Sequence, residues 1–125
     1  DSVLFPLNFV SVSQGNFGAQ ILKRAKQGGI ARLALKAMAA TPWADGETHT
    51  YQKAWYKPAD TAKLREQALR YTLSQDISAA IPPGHYELYK EALETASAFV
   101  PMDDAEQQAL LDEAAGLPPL FSHPA

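Results

Sequence analysis

Apolar and polar positions divide this chain into two kinds of segment. Some runs are almost wholly apolar. Between them lie stretches in which apolar residues recur every three or four positions. The first apolar run, Val3 to Val12, is interrupted only by polar Asn8 and Ser11 and predicts a strand region. Pro6 cannot donate to a sheet ladder, so it marks a strand end, an edge or a bulge. The second run, from Ile30 to Leu35, is too continuous for a strand with one wet face. It fits a strand covered on both faces, as in a parallel sheet between helices. Propensity alone would read the same run as the start of an Ala/Leu-rich helix. Gly28-Gly29 favours the strand, because a glycine pair reads as a helix stop directly before it. The third run, Asp76 to Ile81, is ended by Pro82-Pro83-Gly84.

Helical spacing fills the intervals. Phe17, Ile21, Leu22 and Ala25 share one face of a helix expected over Phe17 to Gln27. Lys26 lies in its last turn, where a cation suits the helix dipole. A second helix is expected from Asp60 to Gln75, capped by Asp60 or Thr61. Leu64, Ala68, Tyr71 and Thr72 line its inner face, widened by Leu69 and Leu73. A third runs from His85 to Phe99, with Tyr89, Ala92, Leu93, Ala96, Phe99 and Val100 as its apolar stripe, and Pro101 breaks it. Asp103 and Glu106 have the spacing of a capping box, opening a last helix that ends before Gly116. Leu117 to Phe121 reads as a tail lying across the surface.

The stretch from Lys36 to Pro58 shows no clear period. It holds both tryptophans, Trp43 and Trp55, with Tyr51 and Tyr56. So long a loop in a compact domain is usually a lid or a binding loop. Its aromatics either seal the core beneath it or form a substrate-side wall.

Strands alternating with helices imply parallel pairing through crossover helices, an α/β fold. Two architectures complete such a sheet: an eight-stranded barrel, of which these are the last three units plus a C-terminal helix, or a doubly wound open sheet. No Gly-x-Gly-x-x-Gly follows a strand, which disfavours the dinucleotide-binding open sheet. The chain opens on Asp1-Ser2-Val3-Leu4, without Met and directly into a strand. The expectation is therefore a single domain over residues 1–125 that forms the C-terminal portion of something longer.

Composition changes this picture little. The net charge is -3, with eleven Lys and Arg scattered among fourteen acids. No basic stripe suggests a nucleic-acid partner. No apolar run approaches the ~20 residues of a membrane span. A soluble, cytoplasmic protein is expected. The absence of cysteine excludes disulfides, thiolate nucleophiles and Cys-ligated metals.

In either architecture, ligands bind where the strands end. That brings Asn8, Lys36 and the segment Pro83, Gly84 and His85 into view. Lys36 ends a buried strand, so its ammonium either holds an anion at the mouth of the sheet or reaches past it to solvent. The turn at Gly84 opens a helix whose N-terminus suits a phosphate, or is an ordinary turn. The three histidines have no metal-ligand spacing. Ser11 and Ser13 lack a nucleophile elbow. Glu87, Glu91 and Glu94 read as a solvated helix face. No catalytic set emerges from these residues.

The motifs Pro6-Leu7-Asn8, Ala25-Lys26-Gln27-Gly28-Gly29-Ile30, Leu33-Ala34-Leu35-Lys36-Ala37-Met38, Leu69-Arg70-Tyr71-Thr72-Leu73-Ser74 and Ala80-Ile81-Pro82-Pro83-Gly84 come in a suggestive order. In order and spacing they resemble the sixth to eighth strand-helix units of the aldo/keto reductases, from about Val3 to Leu111. The resemblance implies a TIM (β/α)8 barrel that reduces a small-molecule carbonyl substrate with NADPH, or with NADH. It implies no membrane or nucleic-acid partner. The family's catalytic Tyr, Lys, Asp and His belong to earlier strands and would precede Asp1, so none is carried over. The units present here bind cofactor in that family. Asn8, Lys36, Pro83, Gly84 and His85 are the implied cofactor-binding positions, with Lys36 toward the phosphates. Leu4 and Phe5 stand where a glutamine often holds the nicotinamide amide. Leu35-Lys36 stands where a stacking tyrosine is common. No arginine follows Arg70, which leaves the choice between NADPH and NADH open. Against this stands a different class of reading, a non-catalytic α/β module for interaction or regulation.

Overall fold

The computed structural model describes residues 1–124. Strand β1 spans Ser2–Pro6 and β2 Ala31–Leu35, and they pair in parallel with Leu4 opposite Leu33 and Pro6 opposite Leu35. On the other side of β2 lies β5, Ala79–Ala80, also parallel, with Ala80 opposite Ala34. The sheet order is β1-β2-β5, and among the described residues the outer edges of β1 and β5 have no partner strand.

The ladder explains the place of Pro6. Ala31 donates to the Asp1 carbonyl and Leu7 donates to that of Leu35, so odd-numbered residues of β1 bond to β2. Even-numbered ones turn their N–H groups to the free edge. The ring nitrogen of Pro6 falls there, at the strand end, and costs no ladder bond.

The first apolar run is not one long strand. After Pro6 the chain turns into helix α1, Phe9–Gly15. Asn8 caps it by accepting from the Ser11 N–H at 2.9 Å, and Asn16 closes it in the left-handed region at φ 49°. Valines at 10 and 12 favour a strand by propensity, but the caps at both ends and burial of Phe9 and Val10 outweigh that preference.

Helix α2 covers Ala19–Gln27, starting two residues later than the periodicity suggests. Gly18 sets the start. Its φ is +119°, and a Cβ there would meet the Leu7 side chain at 2.8 Å. Helix α3, Ala62–Leu73, is capped by Thr61, whose hydroxyl accepts from Leu64. Helices α4, Tyr86–Ser97, and α5, Asp104–Glu113, follow. The capping box of Asp103 and Glu106 is formed in both directions.

The segment from Lys36 to Pro58 is partly ordered as an antiparallel pair. β3, Ala39–Pro42, pairs with β4, Tyr56–Pro58, across an irregularity between Ala39 and Thr41. Ala39, Ala54 and Tyr56 are buried beneath it. The tail lies against α1, as its apolar content suggests. His123 donates its N–H to the Gly15 carbonyl at 2.8 Å, and Phe121 meets Phe17 at 5.5 Å.

Both crossovers cover the same face of the parallel sheet. Phe5 and Ala34 pack with Ile21 and Leu22 of α2, while Ala80 packs with Leu69 and Leu73 of α3. Thr72 of α3 donates to the Leu7 carbonyl at 3.0 Å, tying that helix to the end of β1. By strand alternation the opposite face carries Leu4, Pro6, Leu33, Leu35 and Ala79. Leu4 is 56% exposed there.

The stripe expected along α4 is corrected in the same sense. Leu88 and Ala92 are its buried residues, whereas Tyr89, Leu93 and Val100 are exposed. The helix packs on α3 along a narrow line. Leu93 and Ala96, with Leu73, Ala80 and Pro82, border an open apolar cleft of about 100 Å³ at β5. Beside β1, Val3, Ile21, Ala25 and Ile30 line another, of about 450 Å³.

Candidate functional site

Parallel pairing makes β1, β2 and β5 end on one side of the sheet. Asn8, Lys36 and Pro83 to His85 all follow those ends by one to five residues, so topology brings all five to one rim. Their individual surroundings differ.

Asn8 is fully buried. Its Oδ1 is used in capping α1, while its Nδ2 has no partner among the described residues. The same holds for the hydroxyl of buried Ser11. Asn8 therefore shapes the turn out of β1 rather than presenting a side chain at the surface.

Lys36 leaves β2 at φ +61°, a left-handed conformation uncommon for a residue with a Cβ. That backbone carries the chain straight into the turn where Ala39 donates to the Lys36 carbonyl at 3.0 Å. Strain of this kind costs on the order of 1 kcal/mol and persists where the surroundings over-determine it. Its ammonium stands 5.3 Å from the centre of the Trp55 ring. Among the described residues no carboxylate pairs with it. Burial without an ion pair lowers its pKa from the usual lysine value.

Pro83 is half-buried and Gly84 exposed, with open space where a Cβ would project. His85 is the N-cap residue of α4 but its side chain does not cap, so the first N–H groups of α4 lack a side-chain acceptor. Its Nε2 pairs with Glu87 at 2.8 Å, and its Nδ1 is buried without a partner.

A chain of contacts fixes this rim. Tyr51 meets His85 edge-on at 5.2 Å and lies 5.8 Å from the Arg65 guanidinium. Arg65 is buried and grips Glu91 with two nitrogens, at 2.6 and 2.8 Å, and donates to the Ala59 carbonyl at 2.9 Å. The paired carboxylate raises the Arg65 pKa. Of the acids expected on a solvated face, Glu91 and Glu87 are thus engaged. Sequence reasoning passed over Arg65. Its spacing to Ala68, Leu69 and Thr72 was the signal, since it puts a charge on the inner face of α3.

The two tryptophans part company. Trp43 donates its Nε1–H to the Ala54 carbonyl at 3.0 Å and stacks on His49 at 4.5 Å. Trp55 is 60% exposed and is held edge-on by Tyr56 and Phe121 at 5.7 and 6.2 Å. One seals the hairpin and the other faces outward.

Among the described residues, no group of three or more His, Asp or Glu is placed to hold a metal, and no helix is long and apolar enough to cross a membrane. No protein-family model, curated protein or solved structure matches the chain.

Proposed function

We propose that this chain is the cofactor-binding C-terminal part of a TIM (β/α)8 barrel of the aldo/keto reductase type. The parent is a cytoplasmic enzyme that reduces a small-molecule carbonyl substrate with NADPH. One observation carries the reading: the parallel sheet runs β1-β2-β5 in chain order, with both crossovers on one face and apolar side chains on the other. A barrel has helices outside and branched apolar residues inside, whereas a doubly wound sheet takes helices on both faces.

The residues at the rim suit a dinucleotide. Lys36 offers an ammonium that no carboxylate neutralises, and α4 offers N–H groups without a side-chain cap. The orphaned Nδ1 of His85 adds a donor or acceptor beside them. Lys36, Gly84 and His85 would hold the phosphates, with the Gly84 backbone open to close approach. Asn8 supports the rim from below. NADPH, when bound, supplies the hydride. The residues that donate the proton to the carbonyl are expected on the earlier strands.

The test is a titration followed by NADPH fluorescence, on this chain and on a longer protein that includes sequence preceding Asp1. Binding by the longer protein, weakened about tenfold by Lys36→Met, supports the reading. If the longer protein neither binds NADPH nor reduces a carbonyl, the reductase reading fails and a non-catalytic α/β module takes its place.

A further inference from the structure

Most of the clefts and clusters in this molecule explain themselves. The large cleft between α3 and α4, about 580 Å³, is walled by Glu66, Arg70, Glu91 and Glu94, and Arg70 and Glu91 are engaged with Glu106 and Arg65. The apolar clefts at the sheet edges belong to the reading above. The reading above gives Lys36 a phosphate but leaves Trp55, whose ring centre lies 5.3 Å from that ammonium, without a role.

Three independent features meet there. The indole of Trp55 is large, apolar and 60% exposed, yet held in place by rings on two sides. The ammonium of Lys36 lies at that ring and makes neither a salt bridge nor a hydrogen bond among the described residues. The backbone of Lys36 is itself fixed in a left-handed conformation. An aromatic platform gains most from another flat ring, and an unpaired, partly desolvated cation gains most from an anion. One ligand that carries both satisfies both.

We propose that Lys36 and Trp55 form a recognition site for a planar aromatic anion, an aryl carboxylate, its ring stacked on Trp55 and its charge at Lys36. The site stands on the cluster alone. It does not rest on the reductase reading, in which the same ammonium takes a cofactor phosphate, so the two ligands compete for Lys36. The carboxylate orients the ring, and the two contacts together discriminate against aliphatic acids and against neutral arenes.

The experiment is fluorescence quenching of the 125-residue chain carrying Trp43→Phe, so that Trp55 is the only reporter. Benzoate, cyclohexanecarboxylate, benzamide and inorganic phosphate are titrated in parallel. Benzoate is expected to bind at least about tenfold more tightly than each of the others. Lys36→Met is expected to remove that advantage while leaving benzamide unchanged. Absence of quenching by benzoate, equal binding of all four, or an unaltered benzoate affinity in Lys36→Met would overturn the site. Phosphate binding as tightly as benzoate would reassign Lys36 to phosphate alone and overturn it too. NADPH binding is read separately from the cofactor's own emission. If the longer protein neither binds NADPH nor reduces a carbonyl while this chain binds benzoate, the reductase reading sinks and this site stands. NADPH binding by the longer protein with no benzoate binding here sinks this site and not the reading.

Discussion

The two faces of the parallel sheet are built from similar residues and live in different surroundings. Phe5 and Leu4 are adjacent in β1, and both are large and apolar. Phe5 lies under α2, 3% exposed, while Leu4 on the other face is 56% exposed. Nothing in the side chains demands this difference. It arises because two successive crossovers in one direction lay both helices on one side. The apolar character of the uncovered face shows that composition alone does not say what covers a strand. That face reads as covered in the sequence; in the fold Leu4 is exposed there, while Pro6, Leu33 and Leu35 are half-buried.

The largest effect separates the two faces directly. Phe5→Ala should cost about 3–5 kcal/mol in urea unfolding of the chain. Leu4→Ala should stay within about 0.5 kcal/mol. Equal losses would erase the contrast between the faces. In a longer protein that closes the sheet, Leu4→Ala should instead cost about 2–5 kcal/mol, as a core leucine does.

Next in size is the tie between α3 and β1. Thr72→Val keeps the shape and leaves the buried Leu7 carbonyl without its side-chain donor. A loss of about 1–3 kcal/mol is expected by the same unfolding measurement. A neutral result would mean that the covered face is held by apolar packing alone.

The smallest effect lies at the opposite end of the sheet from the candidate site. Asp76 is held below the usual carboxylate range, first by the Lys26 ammonium and also by Arg32. The stability this gives is present above the ordinary value near 3.8 and is lost as pH falls through the lower folded-state value. Asp76→Asn should flatten the acid limb of the stability curve, and added salt should weaken the wild-type effect. An unchanged acid limb would contradict the pairing.

What was legible in the sequence follows the same division. The glycine pair marked the end of α2, the Asp103–Glu106 spacing gave the cap of α5, and the apolar run of β2 was rightly read as a strand. Each of these signals is local. Helix α1 was hidden because Val10 and Val12 favour a strand by propensity, though Asn8 before it and Asn16 after it were capping residues in plain view. The stripe of α4 was misread because periodicity finds an apolar face without saying what packs on it. Leu88 is buried and Leu93 exposed for reasons that lie in α3 and at the free edge of β5. Of the site, the rim positions were readable from strand ends alone. The link through Tyr51 and Arg65 was not, because it joins residues from three separate segments.

The most direct measurement is hydrogen exchange at the Leu4 amide, which the ladder turns to the free edge of β1. If the sheet is one side of a closed barrel, this amide exchanges fast in the 125-residue chain and becomes protected in a longer protein that includes sequence before Asp1. Fast exchange in both, or strong protection in a monomeric 125-residue chain, would contradict it.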